Sequence, residues 1–183
     1  MSTIYLIRHG RTPANEQHLY CGSTDLELTE QGIGALKELY YDIRPQRIVT
    51  SGMIRTEQTL RVQFGSVEHE VDPRFREVDF GEFEMKSYEQ LKDEPDYQRW
   101  ITGGNMKNVP PGGESGQEMT RRVLEAYREV ERSGLDTLIV THGGVIAAIL
   151  DELFPNEEKN RYQWQPKPGH GYAVFDGKYR EIP

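Results

Sequence analysis

The chain has a single cysteine, Cys21, so it forms no internal disulfide. Zinc-type Cys and His spacings are missing too. A reducing, cytoplasmic setting is therefore expected. Long apolar runs are also missing. The longest, Val145 to Leu150, has six residues, far short of the roughly 20 that cross a bilayer. No basic region precedes an apolar stretch at the N-terminus, so a signal peptide is not expected. Positive charge is scarce: 22 Lys and Arg stand against 30 Asp and Glu, a formal net charge of −8. That balance excludes nucleic acid or an anionic membrane as the main partner. The acid concentrates between Glu77 and Asp96, a stretch with eight acidic residues that mostly reads as solvated surface. The histidines, at positions 9, 18, 69, 142 and 170, show no close metal-ligand spacing, so neither metal nor other cofactor is expected.

What is present fits one globular domain over residues 1–183, with 36% hydrophobic and 28% charged residues. Strand patterns lie at Ile4–Ile7, Arg47–Thr50 and Thr137–Thr141. Helical patterns alternate with them. Thr29 reads as an N-cap, with Ile33, Leu36 and Tyr40 on one face. A second helix runs from near Met53 to before Gly65. A third starts at Ser115, with Glu118 at the capping-box spacing. Met119, Val123, Ala126, Tyr127 and Val130 form its apolar stripe, and Gly134 ends it. The last helix is expected from Val145 to about Leu153. Gly171–Phe175 and Tyr179–Ile182 read as a hairpin at a sheet edge. This alternation predicts a three-layer α/β/α fold whose sheet is mostly parallel with an antiparallel edge. Residues 85–114 form a mid-chain excursion. Within it Asp93–Gly113 has the weakest periodicity, and is read with one short helix near Tyr97–Ile101 and as a candidate lid.

The chemistry gathers at strand ends. Ile4–Ile7 empties into Arg8-His9-Gly10, and Leu138–Thr141 into His142-Gly143-Gly144. Ligands of open α/β sheets bind outside the carboxyl ends of the strands, so the two histidines suggest one site. Arg8-His9-Gly10 taken alone reads more readily as a strand end whose histidine is merely buried and hydrogen-bonded. Ser51 follows the second strand, and Arg55 falls in the next helix's first turn, where guanidinium and helix N-terminus suit a phosphate; a surface ion pair is its bland alternative. In Arg74–Glu84 carboxylates alternate with aromatics, and a carboxyl in partly apolar surroundings suits a general acid. Asp79 and Glu84 are read there as exposed. Pro111-Gly112-Gly113-Glu114-Ser115, taken alone, is a turn and a helix cap.

Together these pieces resemble the histidine phosphatase superfamily, also called the phosphoglycerate-mutase-like family. The matching order is Arg8-His9-Gly10 with Thr12 and Asn15, Leu26–Gly32, Ser51 with Arg55 and Gln58-Thr59, Phe75–Glu82, Pro111–Ser115, and Thr141–Gly144. No single motif is specific; six in this order are. The resemblance implies a phosphohistidine intermediate on His9, with Arg8, Arg55, His142 and the Gly143 amide holding the phosphoryl oxygens. It implies Glu77 as proton donor, and Thr12 and Asn15 as pocket-lining groups. Glu82 is placed with the substrate-binding residues and is the next candidate for the acid. Both arginines should keep His9 neutral near pH 7. The departures are Gly52, where an acid is common, Thr56, where a small residue is usual, and Met85, where glycine is frequent.

The expected activity is a metal-independent phosphomonoester hydrolase of the compact branch that includes α-ribazole phosphatase and broad-specificity phosphatases. Its partners would be a small-molecule phosphomonoester and, as product, inorganic phosphate, with a homodimer left open. Two alternatives stand beside it: mutase-type phosphoryl transfer, and a non-catalytic member that binds a phosphorylated ligand or a protein. Tyr20, Phe83, Tyr97, Trp100, Tyr162, Trp164 and His170 are the aromatic candidates to line the approach, Trp164 and His170 foremost, although each taken alone reads more readily as packing the core or capping the sheet edge.

Overall fold

Alternation within two apolar runs decides the architecture. In β1 (Ile4–Arg8), Ile4 and Leu6 enter one core cluster and Ile7 enters another. In β4 (Thr137–Thr141), Ile139 joins the first cluster, and Leu138 and Val140 join the second. Strands apolar on both faces belong in the middle of a sheet covered on both sides. The structure, a computed structural model describing residues 1–183, shows that sheet.

The elements follow in order: β1, α1 (Pro13–Gln17), α2 (Glu30–Lys37), β2 (Arg47–Thr50), α3 (Ile54–Phe64), β3 (Glu70–Val71), α4 (Tyr88–Leu91) and α5 (Pro95–Thr102). Then come α6 (Gly116–Ser133), β4, α7 (Gly143–Leu153), α8 (Arg161–Trp164), β5 (Gly171–Phe175) and β6 (Lys178–Ile182). The strand order is β3-β2-β4-β1-β5-β6. The first four strands are parallel, while β5 and β6 run antiparallel at the edge. Helices α6 and α7 bury their apolar residues on the first cluster's face; Leu60 of α3 packs on the other. No helix is long and apolar enough to cross a membrane.

The caps read from sequence are present. Ser115 and Glu118 form their capping box, and Gly134 ends α6 in the left-handed conformation. All five residues of the α6 stripe are buried. Strands β1 and β6 each run one residue longer than read, to Arg8 and from Lys178, and three helix boundaries differ. Helix α2 stops at Lys37, so Tyr40 falls beyond it and is 78% exposed. Helix α5 is longer than Tyr97–Ile101, because Pro95 fits the first turn. Helix α7 starts at Gly143, two residues before Val145, and the amide of Gly144 in its first turn finds a partner outside the helix in Glu77.

The segment after α3 crosses to the short β3 and then to the loop carrying Glu77. Excursion residues Phe83, Leu91, Tyr97 and Trp100 form a small apolar cluster of their own, with Tyr20 and Phe80 packed against it.

Candidate active site

Three neighbouring strands end at one edge of the sheet. Arg8 of β1 is level with Thr141 of β4, and Thr50 of β2 with Val140 of β4. The next residues, His9, His142 and Ser51, are thereby brought together. The two imidazoles stand 5.2 Å apart between ring centres, and the His9 amide donates to the Thr141 carbonyl at 3.0 Å.

The His9 ring is fixed by its own turn. Nδ1 lies 2.7 Å from the Gly10 carbonyl. A carbonyl only accepts, so Nδ1 carries the proton and Nε2 keeps its lone pair. Burial, then Arg55, then Arg8 hold the imidazole well below its usual pKa, against a smaller opposing effect of the Gly10 carbonyl. His9 is therefore neutral at physiological pH, with a free nucleophilic nitrogen.

Arg55 is 1% exposed. Its guanidinium donates to the Thr24 carbonyl at 2.8 Å and the Gly22 carbonyl at 2.7 Å, and no carboxylate pairs with it. Arg8 donates to the Pro166 carbonyl at 2.8 Å, and also lacks a carboxylate ion pair. Burial lowers the Arg8 pKa, with Glu77 opposing. Arg55 is buried and Arg8 half-buried; two such cations without paired acids are costly and point to an anionic ligand.

His142 is completely buried, with Nε2 2.8 Å from Ser51 Oγ. Its Nδ1 has no partner within the protein, and neither has Arg8 Nε. Only four buried side-chain polar atoms share that condition, and two of them belong to residues expected to hold phosphate. Buried donors are rarely left unmade. Burial, followed by Arg55, holds the His142 pKa well below its usual value.

Glu77 closes the group. Its Oε1 accepts from the Val78 amide at 3.0 Å and its Oε2 from the Gly144 amide at 2.9 Å. The second bond satisfies one of the open amides at the start of α7. A Cβ at Gly144 would stand 2.3 Å from Glu77 Oε1, so any side chain there would push the Glu77 carboxylate aside. Gly143 lies against Arg8 and Gln165.

A cleft of about 710 Å³ opens beside these groups. Arg8, Arg11, Asn15, Glu77, Tyr20 and Tyr162 are on its wall. His9, 5% exposed, and the buried Arg55 and His142 are not among the wall residues. Thr12 is buried and caps α1 through a reciprocal box with Asn15. Glu82 is exposed on a short 3-10 turn and is not among the cleft residues.

Several readings need correction. Trp164 is fully buried in the core with Phe154, Tyr172 and Tyr179. Its segment does reach the site, but through Gln165, the Pro166 carbonyl and Pro168. His170 is not on the cleft wall. Phe83 and Tyr97 are buried in the excursion cluster, whereas Trp100 lines an adjoining cavity of about 440 Å³ that shares Tyr20, Glu77 and Tyr162 with the cleft. Asp79 and Glu84 are half-buried, because both hold the main chain. Glu84 accepts from the Gly22 and Ser23 amides and from Ser23 Oγ, and Asp79 accepts from Ser23 Oγ and the Gly81 amide. Glu84 thus fixes the turn whose carbonyls hold Arg55. Ser51, known only as a motif residue, is the direct partner of His142.

The neutral histidines make a prediction about stability. In the unfolded chain both protonate near pH 6.5; in the fold both resist it. Below pH 6.5 the unfolded state binds more protons, so stability falls as pH falls. Each group contributes up to about 1.4 kcal/mol per pH unit until it titrates in the fold. Thermal melts from about pH 8 to about pH 5 should show the decline, and His9→Asn should shallow it. An unchanged slope in that variant would contradict a neutral His9.

Comparison with known proteins agrees with this geometry. A sequence model of the histidine phosphatase superfamily (branch 1) matches residues 4–175. The chain belongs to the histidine phosphatase superfamily. This histidine phosphatase is 31% identical over 184 aligned residues to the adenosylcobalamin/alpha-ribazole phosphatase of Salmonella typhimurium, covering 93% of this chain and 89% of that one. It is 30% identical to a probable phosphoglycerate mutase of Enterobacter, over 84% of this chain and 75% of that one. Among solved structures, a putative alpha-ribazole-5'-P phosphatase from Escherichia coli superposes with a TM-score of 0.84 at 25% identity, covering 98% and 94% of the two chains. A phosphoglycerate mutase from Thermus thermophilus gives 0.74 at 28% identity, covering 94% and 92%.

Proposed function

We propose that this histidine phosphatase hydrolyses phosphomonoesters in two displacements, with His9 as nucleophile and Glu77 as proton donor. One observation carries the reading. His9 is locked with its proton on Nδ1, kept neutral, and set beside the buried Arg55 and the half-buried Arg8, neither of them in a salt bridge with a carboxylate. In the first step His9 Nε2 bonds to phosphorus as the ester P–O bond breaks, and Glu77 gives a proton to the leaving oxygen. In the second, water bonds to phosphorus as the N–P bond breaks, and Glu77 takes the water's proton. Arg8, Arg55, His142 and the Gly143 amide stabilise the charge on the equatorial oxygens. In this reading Ser51 takes the donor's part in its contact with His142 Nε2, which leaves the His142 proton on Nδ1 for a phosphoryl oxygen to accept.

The phosphatases named above cover more of the chain and superpose better than the mutases, which favours hydrolysis. The test is a phosphate-release screen over phosphoglycerates, sugar phosphates, nucleotides and α-ribazole phosphate, the last taken from the Salmonella relative as the first substrate to try. Release from at least one monoester supports the reading. Phosphoglycerate isomerisation that outpaces release would make the protein a mutase instead. A binding module has no use for a neutral nucleophile beside an acid.

No group of three or more His, Cys, Asp and Glu side chains is placed to hold a metal ion. Hydrolysis should therefore survive prolonged chelation. Loss in chelator, restored by a divalent ion, would contradict it. A cytoplasmic location belongs to the same proposal, resting on the lone thiol of Cys21.

A further inference from the structure

The loop that carries Glu77 has no regular structure over residues 76–80 apart from a bend. Side chains from elsewhere hold its main chain. The carbonyls of Arg74, Arg76 and Glu77 accept from Arg122 of α6 at 2.8, 2.6 and 3.0 Å. The Phe75 carbonyl accepts from Thr141 Oγ1 at 2.7 Å. The Asp79 amide donates to Glu114 Oε1 at 3.2 Å, and its carbonyl accepts from the Glu114 amide at 3.0 Å. Glu114 also accepts from Arg122, through Nε at 3.3 Å and through Nη2.

A guanidinium has five N–H groups. Arg122 has a bond for each: Nη1 to Arg74 and Arg76, Nη2 to Glu77 and Glu114, and Nε to Glu114. Both side chains are about three-quarters buried, at 24% and 22% exposure. The turn before Glu114 backs the same loop. The Glu82 amide donates to the Pro111 carbonyl at 2.8 Å. A Cβ at Gly113 would stand 2.4 Å from the Asp79 carbonyl oxygen, so glycine lets the two main chains touch. The Pro111–Ser115 motif is thus a platform for the acid loop as well as the cap of α6.

We propose that Arg122 and Glu114 are positioning residues that set the aim of the proton donor Glu77. The proposal rests on the role given to Glu77 above. Glu77 is held at two ends, its carboxylate by the start of α7 and its carbonyl by Arg122. A carboxyl must meet the leaving oxygen at hydrogen-bond distance, and an error near 1 Å costs about 100-fold in rate.

Arg122→Lys keeps the charge but offers three donors for five bonds. Its kcat on alkyl phosphates should fall roughly 10- to 100-fold, with KM little changed. On p-nitrophenyl phosphate, whose leaving group needs little protonation, kcat should fall no more than about threefold. Glu114→Gln should show the same preference, more weakly, and decides the matter if Arg122→Lys fails to melt as a folded protein. In a Glu77→Gln background, Arg122→Lys should add no further loss on alkyl phosphates. Equal losses on both substrates in both variants would assign a merely structural role and overturn the proposal. The two readings can fail separately. If Glu77→Gln discriminates between the substrates and neither clamp variant does, the clamp alone is wrong. If Glu77→Gln does not discriminate, the acid is elsewhere, and the positioning role falls with it.

Discussion

Replacing His9 with alanine should lower phosphomonoester hydrolysis by roughly 10⁴-fold or more, the scale for removing a nucleophile that forms a covalent intermediate. The geometry leaves no substitute. His9 Nδ1 is committed to the Gly10 carbonyl, so Nε2 is the only nitrogen of that ring free to attack. His142 is the nearest other imidazole, but Ser51 occupies its Nε2, and its Nδ1 is buried. The loss should not come from unfolding. The imidazole is desolvated beside Arg55 and Arg8, an environment that disfavours its charged form, so its removal breaks no ion pair. Melting midpoints near neutral pH should stay within about 4 °C, the upper end of the shift expected for about 1 kcal/mol in a domain of this size. A folded His9→Ala enzyme that retained more than about one-hundredth of wild-type activity would remove His9 from the central role.

Glu77→Gln has the second-largest expected effect, and it depends on the substrate. General acid catalysis is worth about 10²- to 10⁴-fold where the leaving oxygen must be protonated. Alkyl phosphates should lose that much. p-Nitrophenyl phosphate should lose less than about tenfold, since its leaving group departs as an anion. The substitution has a structural cost of its own. Glu77 accepts two amide hydrogens on two oxygens, and glutamine supplies one oxygen. One amide loses its partner, at about 1–3 kcal/mol. That cost is common to both substrates, so the difference between them isolates proton donation. Equal losses would move the role to another acid. Glu82, the alternative from sequence, is exposed and off the cleft wall.

The parts of this site legible in the sequence were those with local signatures. Strand ends followed by His-Gly placed His9 and His142 on one sheet edge, because parallel strands finish together. Helix α6 was readable at both ends, since a capping box and a left-handed glycine depend on residues a few positions apart. Interactions made by the main chain were not readable. Arg122 lies outside the apolar stripe of α6, and three of its bonds are to carbonyls, which every residue has. Glu84 looked like one more surface acid because its partners, the amides of Gly22 and Ser23, carry no sequence signal. The start of α7 was misplaced for the same reason: the group that caps its Gly144 amide is Glu77, 67 positions earlier. Two departures from the family pattern acquire a physical meaning. Met85 has φ of 60°, the left-handed region that favours glycine. Thr56 puts a hydroxyl 3.2 Å from Ser51 Oγ, in contact with the partner of His142.

The central claim is that phosphorus passes through His9. Rapid mixing with a labelled phosphomonoester, followed by a denaturing quench, tests it most directly. The label should be protein-bound, stable in base, released in acid, and located at His9; the His9→Ala enzyme should carry none. Label on any other residue, or retained in the His9→Ala protein, would contradict the account.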